Sequence, residues 1–133
     1  MTPRNLAGLL VLACLSLSPA AAGADDVAPT KVSVVLANFR FTPEDLQLPA
    51  DTPVTLNFVN EGSGGHNFVA PEFFAAAETD EETRLRLGKK GVVEFAKGEA
   101  MDVTLTPKAG IYKVKCTHFL HAGMGMKGTI TVK

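Results

Sequence analysis

The sequence predicts an all-β domain, a Greek-key β-sandwich of seven or eight strands with a short helical insertion around residues 71–90. Three observations predict it. Short runs rich in Val, Ile, Thr and aromatic residues recur between clusters of Gly, Pro and Asn, the punctuation of strands joined by turns. Apolar and polar residues alternate inside several of these runs, as they do where one strand face is packed and the other is wet. Only the segment 71–90 breaks this rhythm, and many short strands in one domain-sized stretch fit two sheets packed face to face.

Taken in order, Lys31–Ala37 is the first clear strand, and Phe39–Phe41 and Leu46–Leu48 are short ones. Val54–Asn60 shows the alternation best, with Val54, Leu56 and Phe58 on one apolar face. The helical insertion opens at Pro71-Glu72, where proline suits the first helical position and an acid suits the helix N-terminus. Further along, Asp80 with Arg84 and Glu82 with Arg86 have the spacing of ion pairs on a solvated helix face. Val92–Ala96 is an additional strand candidate. Met101–Leu105 follows with Val103 and Leu105 inward, then Ile111–Cys116, where Ile111, Tyr112 and Val114 alternate less regularly, and Gly128–Val132 ends the set.

The first residues read differently. Arg4 precedes an apolar stretch from Leu6 to Leu17, and Ala20-Ala21-Ala22-Gly23-Ala24 offers small residues before Asp25-Asp26. This is the pattern of a cleaved export signal over 1–24, leaving one domain at 25–133 and a periplasmic or otherwise exported location. The apolar stretch is too short to span a bilayer. Val11-Leu12-Ala13-Cys14 resembles a lipoprotein box only loosely, because the apolar run continues past Cys14. The chain carries 13 basic and 14 acidic residues. Without clustered positive charge, neither nucleic acid nor an anionic membrane is an expected partner.

Removal of 1–24 takes Cys14 with it and leaves Cys116 alone, in a compartment where thiols usually pair. Its neighbours supply a reason. Cys116-Thr117-His118-Phe119-Leu120-His121-Ala122-Gly123-Met124-Gly125-Met126 gathers a thiol, two imidazoles and two thioethers in one loop. Soft sulfur combined with imidazole points to copper rather than to magnesium or calcium, which take oxygen. Iron–sulfur clusters and structural zinc usually require more than one cysteine. The loop runs from one expected strand end to the start of the next, which makes it a clamp. One more imidazole completes two nitrogens and a sulfur, with a thioether at longer range. His66, in the Gly-rich turn Gly62-Ser63-Gly64-Gly65-His66 after Asn60, is the expected supplier.

These residues resemble the cupredoxins, or type 1 blue copper proteins. The spacing Cys116-x4-His121-x4-Met126, followed by Lys127-Gly128-Thr129-Ile130-Thr131-Val132, is similar to the copper loop of auracyanin and rusticyanin. His66-Asn67 and Cys116-Thr117 match family pairs as well. The resemblance implies one copper ion per chain held by His66, Cys116, His121 and Met126, with Asn67 and Thr117 hydrogen-bonded across the site. It implies one-electron transfer between transient redox protein partners, by a monomer that is not inserted in a membrane. His121 would be the electron port, with Phe119, Leu120, Ala122 and Gly123 as an apolar docking rim. No nucleophile with a positioned base, paired carboxylates or phosphate-binding loop suggests an enzyme. His118 and Leu120 depart from the family loop, and Met124 competes with Met126 for the axial place. His118 and Met124 are therefore possible additional metal ligands, and they carry an alternative reading: copper tolerance, storage or delivery to copper-trafficking partners.

Overall fold

The alternation in residues 54–60 is realised as a strand whose Val54, Leu56, Phe58 and Asn60 are all buried. The structure, a computed structural model, describes residues 28–133. The expected export signal at 1–24 lies outside the described residues. One sheet holds β1 (Thr30–Ala37), β2 (Arg40–Thr42), β4 (Val54–Asn60) and β7 (Ala100–Leu105), in the order β2-β1-β4-β7. The other holds β3 (Asp45–Leu48), β5 (His66–Val69), β6 (Val92–Phe95), β8 (Gly110–Lys115) and β9 (Lys127–Val132), in the order β3-β9-β8-β5-β6. Both sheets are mixed, because β1 runs parallel to β4 and β3 runs parallel to β9.

Each sheet has one apolar face, and removing those faces from water holds the pair together, at about 25 cal/mol per Å² of apolar surface. The join is visible in the aromatics. Phe58 of β4 packs on Phe68 of β5 with ring centroids 4.9 Å apart, and on Phe95 of β6 at 5.5 Å. Phe41 of β2 meets Phe68 edge-on at 5.4 Å. The strands that carry the site are thus fixed to the opposite sheet by buried rings.

Several local expectations are corrected. There are nine strands among the described residues, and the unanticipated one is β5, where His66 begins a strand rather than sitting in the preceding turn. Phe39 is not in a strand. It takes φ 62° at the turn before β2, so the short strand starts at Arg40. Ile111 is 77% exposed, because burial of Val114 places Tyr112 on the inward side of β8 and Ile111 on the other. The strand also stops at Lys115, one residue before Cys116.

The helical insertion is two short helices, α1 (Pro71–Ala76) and α2 (Glu81–Leu87). Glu78 separates them by pairing its backbone with Thr106, with N–O distances of 2.9 and 2.8 Å. The expected Asp80–Arg84 and Glu82–Arg86 ion pairs are absent from the pairs among the described residues. Asp80 lies outside the helix as its N-cap, and its carboxylate accepts from the Thr83 N–H at 2.6 Å. Phe73 and Phe74 of α1 are buried, and Phe73 meets Tyr112 of β8 at 5.5 Å. Among the described residues no helix is long and apolar enough to cross a membrane.

Candidate metal centre

Strand pairing brings the two chemically distinctive segments together. β5 lies between β6 and β8 and is antiparallel to both, so the start of β5 and the end of β8 share one end of the sandwich. His66 opens β5, opposite Phe95 of β6. Cys116 follows β8 directly, and Met126 directly precedes β9.

The connecting loop is closed at its base and wound by its own backbone. Cys116 N–H donates to the Met126 carbonyl at 3.0 Å, and Met126 N–H donates to the His121 carbonyl at 2.9 Å. His121 N–H donates to the His118 carbonyl at 3.1 Å, and Met124 N–H to the Leu120 carbonyl at 2.9 Å. These turns require left-handed backbone at Leu120, with φ 63°, and at Gly125, with φ 107°. Glycine adopts that region freely, whereas leucine does so at a cost.

The result is a convergence of donors. The Nδ1 atoms of His66 and His121 are 3.1 Å apart, and the Cys116 sulfur is 3.5 Å from His121 Nδ1. All three donor atoms lie within 4.8 Å of one another. Two nitrogens each about 2.0 Å from a common ion can be separated by at most about 4 Å, so this spacing suits a shared metal. His66, Cys116 and Met126 are buried, and His121 is half-buried. Cys116 is unpaired.

Burial pushes the His66 pKa below its ordinary 6.5, and the adjacent His121 and His118 push it further down. A neutral imidazole keeps a lone pair for a metal. The ring is tightly seated. A Cβ at Gly62 would lie 2.3 Å from His66 Nε2, so only glycine leaves room for the imidazole. Asn60 holds the loop that carries this glycine: its amide donates to the Gly64 and Ala96 carbonyls, both at 2.9 Å, and its oxygen accepts from Gly62 N–H at 3.0 Å. Asn38 accepts from Ser63 N–H at 2.9 Å.

Around the donors, Asn67 connects the two segments. Its amide donates to the Thr117 hydroxyl at 2.9 Å, and its oxygen accepts from Thr117 N–H at 2.8 Å. Its backbone N–H approaches the Cys116 sulfur at 3.5 Å. The other oxygen-bearing neighbour is Glu94 of β6, which accepts from the Asn67 amide at 3.0 Å and pairs with His118 Nε2 at 2.5 Å.

The remaining sequence candidates separate in space. His118 is outside the donor cluster, stacked on His121 with ring centroids 5.5 Å apart. Met124 is 58% exposed, in contrast to the buried Met126. Phe119 and Leu120 are 87% and 61% exposed beside His121. Phe39 adds an edge-on ring contact to His121 at 5.2 Å. Sequence reasoning missed Gly62, Asn60, Asn38, Glu94 and Phe39. Of these, only the asparagine followed closely by glycines carries a local signal, that of a side chain closing its own turn.

A model of the copper binding proteins of the plastocyanin/azurin family matches residues 28–133. The chain belongs to this family. Among cupredoxins of known sequence, Plastocyanin A/B of Petroselinum crispum is 36% identical over 92 residues, spanning 69% of this chain and 86% of that protein. Dithionite-reduced auracyanin from Roseiflexus castenholzii superposes with a TM-score of 0.58 at 20% identity, covering 80% of this chain and 98% of that one. Auracyanin B gives a TM-score of 0.57 at 27% identity, covering 80% and 91%. The donor set described above therefore sits in a copper-binding cupredoxin, and its one thiol and two imidazoles suit that metal.

Proposed function

We propose that His66, Cys116, His121 and Met126 hold a single copper ion and that the protein is an exported, monomeric one-electron carrier between transient redox partners. The observation that carries this reading is the convergence of His66 Nδ1, His121 Nδ1 and the Cys116 sulfur within 4.8 Å. Met126 would supply the thioether, since it is the buried methionine and its backbone is bonded to both Cys116 and His121. Copper bound there supplies exchange of one electron between its cuprous and cupric states.

The chain's own part is to keep the ligands still and one edge accessible. His66 is fixed by strand pairing and by Gly62, and Cys116 by the Asn67–Thr117 bonds. A donor set that does not rearrange between oxidation states lets the electron move with little reorganisation. His121 reaches the surface among Phe119 and Leu120, and these exposed apolar side chains suit brief docking of a redox protein. The protein acts as a carrier rather than a catalyst.

Addition of cupric ion to the protein tests the reading. An intense blue or green thiolate–copper colour is expected, abolished by Cys116→Ser and retained with an altered reduction potential in Met126→Leu. A colourless parent protein, or colour that survives Cys116→Ser, would refute the assignment.

A further inference from the structure

His118 has no place among the four proposed ligands, yet its surroundings are those of a metal-binding histidine. Its Nε2 is paired with Glu94 Oε1 at 2.5 Å. A carboxylate on one ring nitrogen fixes the tautomer, raises the basicity of the other, and is the usual support of a ligating imidazole. Glu94 is itself held, because its second oxygen accepts from the Asn67 amide at 3.0 Å. Among the described residues no hydrogen-bond partner occupies His118 Nδ1. The ring is about one-third exposed, so an ion in solvent can reach it.

Position gives this imidazole a task. A shallow cavity at this end of the sandwich is lined by Asn38, Ser63, Gly64, His66, His118 and His121. Cys116 does not line it and is fully buried. An ion approaching through the cavity meets imidazoles before it meets sulfur. The His118 ring centroid lies 5.5 Å from that of His121 and 6.4 Å from that of His66. His118 contributes no atom to the closed donor set, and those separations are short enough for an ion to pass between rings by exchange of one ligand at a time.

We propose that His118, oriented by Glu94, is a capture ligand that takes up copper at the mouth of this cavity and hands it to His121 and His66. This rests on the copper reading of the main site and adds a route to it. The transfer exchanges one metal–nitrogen bond for another, with no change in oxidation state. Because His118 is absent from the filled site, it lowers the barrier without altering the end states. Uptake and release must then change by the same factor, and the equilibrium affinity must stay constant.

The experiment uses the copper-free protein, with cupric ion supplied from a weak chelator, and follows the thiolate–copper colour by stopped flow. Release into a strong chelator is followed in the same way. His118→Asn is expected to slow uptake and release in parallel by about tenfold or more, the scale on which a lost metal-supporting contact acts. Final colour, reduction potential and affinity should match the parent. Glu94→Gln, which keeps the imidazole but removes the carboxylate, should slow both rates in the same direction. A smaller effect of His118→Asn, a change in uptake alone, or altered final colour or affinity would overturn the capture role. A parent protein that forms no coloured site is a different result, refuting the copper assignment itself.

Discussion

Replacing Gly62 by alanine tests whether the seat of His66 is set by space. Gly62 is outside the left-handed region, so alanine meets no backbone penalty there and the outcome reports on contact alone. The new methyl carbon would lie 2.3 Å from His66 Nε2 and 2.7 Å from Cδ2, where ordinary contact begins at 3.4 Å. It also lies 3.0 Å from Asn38 Oδ1, which blocks retreat on that side. The imidazole must therefore move by roughly 1 Å, whereas a working ligand set tolerates displacements of about 0.5 Å. Such overpacking costs about 1–3 kcal/mol.

In the copper-free protein the ring relieves this strain by turning away, and copper binding then has to restore it. At about 1.4 kcal/mol per tenfold, the copper affinity of Gly62→Ala should fall by about 5- to 140-fold. Competition against a chelator of known strength measures it, and the colour should shift as the His66 nitrogen is displaced. Parental affinity with unchanged colour would refute the argument that glycine is required here for room.

Three further outcomes are expected. Leu120→Gly should stabilise the copper-free protein by up to about 1 kcal/mol in thermal unfolding, since leucine is held at φ 63° and glycine is not penalised there. Phe119→Ser should slow electron exchange with a redox partner while leaving the reduction potential unchanged, because the ring is 87% exposed and its loss removes docking surface. Asp80→Ala should lower the melting temperature at neutral pH and flatten the acid limb of stability. The Thr83 N–H holds the Asp80 pKa below its ordinary 3.8, so the stabilisation is present above that value and is lost as pH falls through the lowered one. Melting curves collected across the acid range on both proteins check this.

The alternating strands were legible because a buried face leaves a period of two, as Val54, Leu56 and Phe58 do in β4. The Cys116–Met126 loop was legible because its donors are adjacent in the chain. β5 was not, since His66, Asn67 and Phe68 are all buried and no alternation remains to be read. Its identity as a strand comes from pairing with β6 and β8, which lie far along the sequence. The same distance hid Glu94, whose partners Asn67 and His118 are 27 and 24 residues away. The irregular run of Ile111, Tyr112 and Val114 leaves the inward face of β8 undecided, and the burial of Val114 sets its parity.

Register explains why these separated residues meet. Val69 of β5 is opposite Lys115 of β8, and an antiparallel ladder carried on by two residues sets Asn67 opposite Thr117. On the other side of β5, Asn67 is opposite Glu94 of β6. Glu94, Asn67 and Thr117 thus form one row across neighbouring segments, joined by the bonds at 3.0 and 2.9 Å. His118 lies in the loop beyond the end of β8 and bonds Glu94, which sets this surplus imidazole at the mouth of the cavity. A one-residue slip would send each of these side chains to the opposite face and separate the imidazole of His66 from the sulfur of Cys116. The buried rings of Phe58, Phe68 and Phe95 prevent that slip, since each belongs to one face of its strand. Core packing in this protein therefore specifies the position of the donors as well as the stability of the sandwich.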